Sequence, residues 1–242
     1  MVNTVVRRSV LPALLVLLMM LTGCETPSVI GEGFTPLDEA DAARAVQRLK
    51  AATTDWSIVK GKLSCTFVVQ SDGEERTDAM DGICVLQPDQ ALRVRFSKLG
   101  MNVADILYDR RFWFITDDMN GTVYFCRRID RAALEGVPPV LLQQLQALPG
   151  GWLRDVTAGA EVSESDAAIK IHEQTRDFTR TLIFPKDRAW PSYVEMSTPD
   201  GNSFRASLTT PDTRFAATAA TFAPNLKDYA VYDLDKRAWL KR

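Results

Sequence analysis

Histidine is almost missing from this chain: 242 residues contain one, His172. A Ser-His-Asp or Cys-His centre would have to be built on it, and no Gly-x-Ser-x-Gly elbow is present to raise a serine. His172 alternates with Ile169 and Ile171, so it belongs to the polar face of a strand, as a solvated side chain. Cysteine is scarce as well, and Cys24, Cys65, Cys84 and Cys126 show no spacing that suits a metal site. An excess of positive charge is also lacking, with 29 basic against 31 acidic side chains. Without clustered Lys and Arg there is no nucleic-acid surface. The acidic pairs Asp117-Asp118 and Asp233-x-Asp235 fall at turns or strand ends, where aspartate hydrogen-bonds locally. Gly150-Gly151 ends a helix instead of opening one, which excludes a phosphate loop. The arginines and aromatics of RRFWF follow strand alternation, Phe112 and Phe114 on one face and Trp113 on the other. The expectation is a protein that is not an enzyme and uses neither metal nor cofactor.

A membrane-spanning run is the next absence. The longest apolar stretch, LPALLVLLMM at 11–20, is about ten residues, half of the roughly 20 that cross a bilayer core. Arg7 and Arg8 precede it and Leu21-Thr22-Gly23-Cys24 follows, which is the layout of a signal peptide. No Ala-x-Ala site stands before Cys24; Leu-Thr-Gly-Cys resembles the lipobox of bacterial lipoproteins. That resemblance implies removal of residues 1–23 and acylation of Cys24, which makes Cys24 a membrane anchor and not a catalyst. Several acyl chains hold firmly where one is marginal, since each buried CH₂ adds about 0.8 kcal/mol. Residues 24–36, with ETPSVIGEGFTP, lack periodicity and read as a flexible tether. The folded domain is expected over 37–242.

Within that domain Thr35 to Asp38 supplies helix-start chemistry, with Thr35 as the capping hydroxyl and Pro36 in the first turn. Ala42, Ala45, Val46, Leu49 and Ala52 then recur at helical spacing. From Trp56 the period becomes two: Val59, Leu63, Cys65, Phe67 and Val69 share one face of a half-buried antiparallel strand. SDGEERTDAMDG reads as a turn, followed by strands in GICVLQ, ALRVRFSKLG, NVADILYD, RRFWFITD and, after Asn120-Gly121, TVYFCRR. Short connections make this a meander. It breaks at VPPVLLQQLQALPGG, a helix opened by prolines and closed by glycines, with a stripe of Leu141, Leu142, Leu145 and Leu148. A second meander follows. Cys65 and Cys84 flank the turn-rich stretch, so a hairpin bridge between them is expected in an oxidising envelope, leaving Cys126 free. The alternative is three buried reduced thiols.

The segment TLIFPKDRAWPSYVEMSTPDGNSFRASLTT, then TFAPNLKDYAVYDL, resembles the C-terminal half of the LolA/LolB-like lipoprotein-carrier superfamily. The matching positions are Phe184, Asp187, Pro191, Val194, Glu195, Met196, Asp200, Gly201, Phe222, Pro224, Val231 and Asp233. LRVRFSKLGMNVADILYDRRFWFITDDMNGTVYF is similar to the lipidated members, and the likeness spans roughly residues 37 to 235. It implies an α+β fold: a strongly curved antiparallel sheet, an open half-barrel, with helices covering the concave face. The three extra cysteines depart from the pattern, and Arg93 and Arg95 have no assigned face.

An apolar cavity in such a fold would be lined by Leu92, Val94 and Phe96 of the sheet and by Leu141, Leu142, Leu145 and Leu148 of the helix. Burial alone, at roughly 25 cal/mol per Å², holds an acyl chain by several kcal/mol before ordering costs. The expected role is therefore binding of acyl chains or lipoproteins, for outer-membrane lipoprotein or lipid localisation. Glu25 after the anchor is not the aspartate of an inner-membrane retention signal, which points to the outer membrane, facing the periplasm. The rival expectation is a structural or assembly lipoprotein that docks an envelope protein partner and carries nothing. Replacing the anchor, Cys24→Ala, is expected to leave an uncleaved precursor that incorporates no labelled fatty acid; unchanged labelling overturns the anchor.

Overall fold

The computed structural model describes residues 33–52, 56–71, 74–131, 139–154, 156 and 159–241. Cys24, the signal segment and most of the tether lie outside these residues. Among the described residues fourteen strands form one curved sheet with two short α-helices, α1 (Glu39–Ala51) and α2 (Pro139–Ala147).

The helix start differs from expectation. Thr35–Pro36 forms a two-residue strand, β1, and Asp38 is the cap, its carboxylate accepting from Asp41 N at 2.8 Å. The chain cannot use Thr35 as a cap while its backbone pairs with Ser163 and Glu164. Pro36 tolerates this because β1 is an edge strand, where a missing N–H costs no ladder bond. The fold thus begins ahead of residue 37. Glu39 and Asp41 sit at the positive end of the α1 dipole and Arg48 and Lys50 at the negative end.

Six strands then run side by side in chain order: β2 (Val59–Ser71), β3 (Glu74–Gln87), β4 (Ala91–Lys98), β5 (Met101–Tyr108), β6 (Trp113–Asp117) and β7 (Thr122–Cys126). A second meander comprises β8 (Glu161–Glu164), β9 (Ala168–Gln174), β10 (Thr179–Pro185), β11 (Tyr193–Ser197) and β12 (Ser203–Leu208). The ladder of β12 on β2, Ser203↔Val68 to Leu208↔Leu63, joins the two. β13 (Ala230–Asp233) pairs parallel with β7, and β14 (Ala238–Lys241) follows it at the far edge. β1 and β14 stay the two edges of the order, so the sheet does not close into a barrel.

The parallel pair has a topological cause. The chain leaves β12 in mid-sheet and crosses to the far edge through residues 209–229. Asp212 exchanges backbone hydrogen bonds with Lys60, whose ammonium lies 4.9 Å from the centre of the Phe215 ring. The Arg93 guanidinium donates to Ala220 O at 3.2 Å and Thr221 O at 2.9 Å, and holds Asp105 at 3.0 Å through Nε. Arg93 and Arg95 therefore occupy the face opposite the core beside Asp105, with Arg93 under the crossing segment.

Register fixes the other face. Val59, Leu63 and Cys65 of β2 align with Cys84 and Leu86 of β3, Leu92 and Val94 of β4, Trp113 of β6 and Cys126 of β7. All of them enter one buried cluster with Ile169, Ile171, Leu182, Val194 and Ala206, and with Ala45 and Leu49 of α1 and Leu142 of α2.

The Cys65–Cys84 bridge is not formed. β3 starts at Glu74, so the charged run expected to be a turn is an exposed strand. Cys65 then faces Met80, and Cys84 faces Gly61, four positions along β2. That offset is roughly 13 Å at strand rise, against the less than ~7 Å between Cα atoms that a bridge needs. Cys65, Cys84 and Cys126 are buried free thiols, each pushed up to about 12, chiefly by burial. A thiolate then forms only far above neutral pH. The mature chain with Cys24→Ser is expected to resist a thiol reagent at pH 8 while folded and to expose three reactive thiols in denaturant without reductant. Counting one would restore the bridge.

Candidate functional site

The helix-bearing face of the sheet is apolar because period-two alternation delivers one aliphatic or aromatic side chain per pair of residues from most strands. Leu92 is 0% exposed, Val94 5% and Leu142 3%, and Leu145 and Leu148 pack against the margin of the same cluster. The Leu141 side chain lies outside the described residues. Phe96 is placed differently. Four residues beyond Leu92 on β4, it meets Phe67 edge-on at 5.8 Å, and Phe67 meets Phe204 at 5.0 Å. These three rings are half-buried at the end of the face where β4 turns into β5. Beyond them the turn carries Leu99, 92% exposed, and Met101, 60% exposed. Leu99 has φ of +52°, a left-handed conformation that a leucine rarely adopts, and Gly100 follows at +79°.

α2 does not rest on leucines alone. Two of its glutamines make specific contacts. Gln146 Oε1 accepts from Ile129 N at 3.0 Å, and Gln144 Oε1 accepts from the Arg180 guanidinium. Arg180 is itself paired with Glu173 directly across the β9–β10 ladder, Nε to Oε2 at 2.6 Å. The pair lies on the apolar face, with side chains 9% and 1% exposed. The planar guanidinium engages both the carboxylate and the carboxamide, a role that a lysine could not fill with the same geometry. Sequence reading missed it, although a signal was present: Glu173 shares the phase of Ile169 and Ile171, and Arg180 that of Leu182 and Phe184. Two charges in apolar phase on neighbouring strands indicate each other.

Two clefts flank this arrangement. The first, of 440 Å³, is polar and lies beside α2, with Asp89, Tyr108, Asp130, Gln143, Gln146 and Arg154 among its walls. The second, of 220 Å³, lies between the last turn of α1 and the segment after α2. Trp56, Leu86, Pro88, Trp152, Leu153 and Ala189 line it, with Lys50 and Arg154 at its rim. Trp190 backs the cleft, its ring 6.2 Å from Trp56 and 6.1 Å from Trp152. Gly61 makes room for it, since a Cβ there would stand 2.7 Å from Trp190 Cζ2. The indole N–H groups of Trp152 and Trp190 are buried without an acceptor among the described residues. The tryptophan trio, drawn from three distant segments, had no signature in the sequence.

Other residues weighed for chemistry have local roles. His172 Nδ1 is 3.1 Å from Thr181 Oγ1 on the polar face. Asp117 accepts from Asn120 N at 3.0 Å, Asp233 from Lys236 N at 3.0 Å, and Asp235 from Arg127 N at 3.0 Å.

No family model and no curated protein matches the chain. Among solved structures it is similar to an uncharacterized conserved protein from Thermus thermophilus, 14% identical with a TM-score of 0.49, over 80% of this chain and 99% of that one. It is also similar to a LolA superfamily protein from Nitrosomonas europaea, 6% identical with a TM-score of 0.43, over 76% of this chain and 97% of that one. MucB is similar at 16% identity and a TM-score of 0.37, over 80% of this chain and 66% of its own.

Because a buried charge stripped of its partner is costly, Arg180→Met is expected to lower unfolding free energy by about 3–5 kcal/mol. Urea denaturation of the double variant Glu173→Gln/Arg180→Met should show most of that loss recovered. Equal losses in the single and double variants would mean the pair is not the latch under α2.

Proposed function

We propose that this protein is a lipid-anchored component of a bacterial envelope, held through Cys24 at the outer membrane and facing the periplasm. There it binds acyl chains, free or on lipoproteins, on the concave apolar face of a half-barrel of the LolA/LolB-like kind. It is a carrier or acceptor, not a catalyst. The observation that carries this reading is that Leu142 and Leu145 of α2 join a single apolar cluster with one face of an open sheet, while Gln144 and Gln146 hold the helix by side-chain hydrogen bonds. A helix so attached can lift and offer its apolar underside to a guest chain. The half-buried rings of Phe67, Phe96 and Phe204, continued by Leu99 and Met101, extend the same apolar surface toward solvent.

The near-complete burial of Leu92, Val94 and Leu142 favours a second reading, a filled core in a module that docks an envelope protein. Uptake of a fluorescent fatty acid by the mature chain with Cys24→Ser separates the two. Saturable binding is expected, weakened by Leu145→Ser with Leu148→Ser. Each buried leucine lost also destabilises by up to about 2–5 kcal/mol, so binding is measured well below the variant's melting temperature. Absence of saturable uptake by the unaltered domain overturns the carrier reading and leaves the docking module.

A further inference from the structure

One cross-strand row of the apolar face runs from the core to an open edge of the sheet. Starting at Val94 it passes by direct pairing to Ile106, Ile115, Tyr124, Tyr232 and Trp239, one side chain each from β4, β5, β6, β7, β13 and β14. Exposure rises along it. Val94 is 5% exposed and belongs to the core, Ile106 and Ile115 pack against the core's margin, the two tyrosines are half-buried, and Trp239 is 41% exposed. The rings are continuous, Tyr124 with Tyr232 at 6.1 Å and Tyr232 with Trp239 at 5.1 Å. None of the six side chains carries a charge. The neighbouring row, toward the hairpin turns, holds the small side chains of Ala104, Thr122 and Ala230, and its one acid, Asp117, accepts from Asn120 N at 3.0 Å within its own turn. Large side chains beside small ones make a trough that crosses the strands. Four strand spacings of about 4.8 Å carry it from Ile106 to Trp239, roughly 19 Å. A bilayer core about 30 Å thick is two acyl chains deep, so one chain, about 15 Å, fits within that length.

We propose that this trough is the track of one long saturated acyl chain, which enters sideways across the β14 edge. The methyl end lies against Val94 and Ile106, where burial is most complete and apolar surface gains most from leaving water. The polar end lies at Tyr232 and Trp239, whose rings combine an apolar body with a polar tip and suit the place where a chain emerges into water. The inference rests on the acyl-binding reading and deepens it, since it states where the chain lies, which end leads and by which side the guest enters.

The test uses the mature chain with Cys24→Ser, titrated with hexadecanoate brominated at C2 or at C16 while tryptophan emission is followed. The same titrations are made on the Trp239→Phe variant, which keeps an aromatic ring at the edge. Bromine quenches an indole only close to contact. The 2-bromo acid is expected to quench a component of the emission that the variant lacks. The 16-bromo acid is expected to quench both proteins alike, through Trp113, two residues from Ile115 on β6. Quenching of the Trp239 component by the 16-bromo acid instead overturns the inference. So does saturable binding of both acids with no loss of the Trp239 component; the carrier reading then stands without the track. Absence of saturable uptake of either acid overturns the carrier reading and the track with it. Sedimentation equilibrium without guest is expected to give a single chain; a dimer dissociated by Trp239→Glu would show the β14 edge taken by a second copy and overturn the track.

Discussion

The structure depends on one ladder, the pairing of β12 with β2. Each meander is locally connected, and the buried cluster that holds residues of both helices draws on both meanders. The contact that merges them joins residues as far apart as Lys62 and Thr209, a separation of 147. Loop closure over such a distance has to be met by entropy before the ladder returns anything, so this pairing belongs late in folding. Once it exists, the two apolar faces become one, and α1 and α2 acquire a common floor.

Against that floor, the buried polar groups set where α2 sits. Leucines are tolerant of sliding, because one aliphatic contact is much like the next. The Glu173–Arg180 pair is not tolerant, since its hydrogen bonds are directional and their loss in an apolar setting is expensive. Gln144 thus fixes the register of the helix on the sheet, while the leucines supply the burial. On the opposite face Arg93 works in a similar way, joining Asp105 to two carbonyls of the crossing segment and pinning an otherwise irregular run, residues 209–229.

Much of this architecture was legible. The strands from Val59 to Cys126, the short helix bounded by Pro138-Pro139 and Gly150-Gly151, and the second meander follow from period and turn residues alone. What was not legible depended on register. EERTDAMDG looks like a turn because its residues are charged, but its first four, Glu74 to Thr77, lie where β3 projects beyond β4, are exposed and need no apolar alternation. The register that starts β3 at Glu74 also leaves Cys65 four positions along β2 from the partner of Cys84. The site divides along the same line. Leu92, Val94 and Leu142 came from pattern and did converge, whereas Trp56, Trp152 and Trp190 converge only in three dimensions, and the role of Gly61 is visible only from the ring that occupies its missing side chain.

The openness of the sheet has a mechanical corollary. Strands β1 and β14 are its two unpaired edges, and their separation is set by how strongly the twelve intervening strands twist and bend. A sheet that is free at both edges behaves as a leaf spring: anything that wedges its covered face apart flattens it, and the displacement accumulates strand by strand toward the edges. Small changes of twist at single ladders add across the width of the sheet, so the distance between Thr35 and Trp239 is the dimension that such changes alter most.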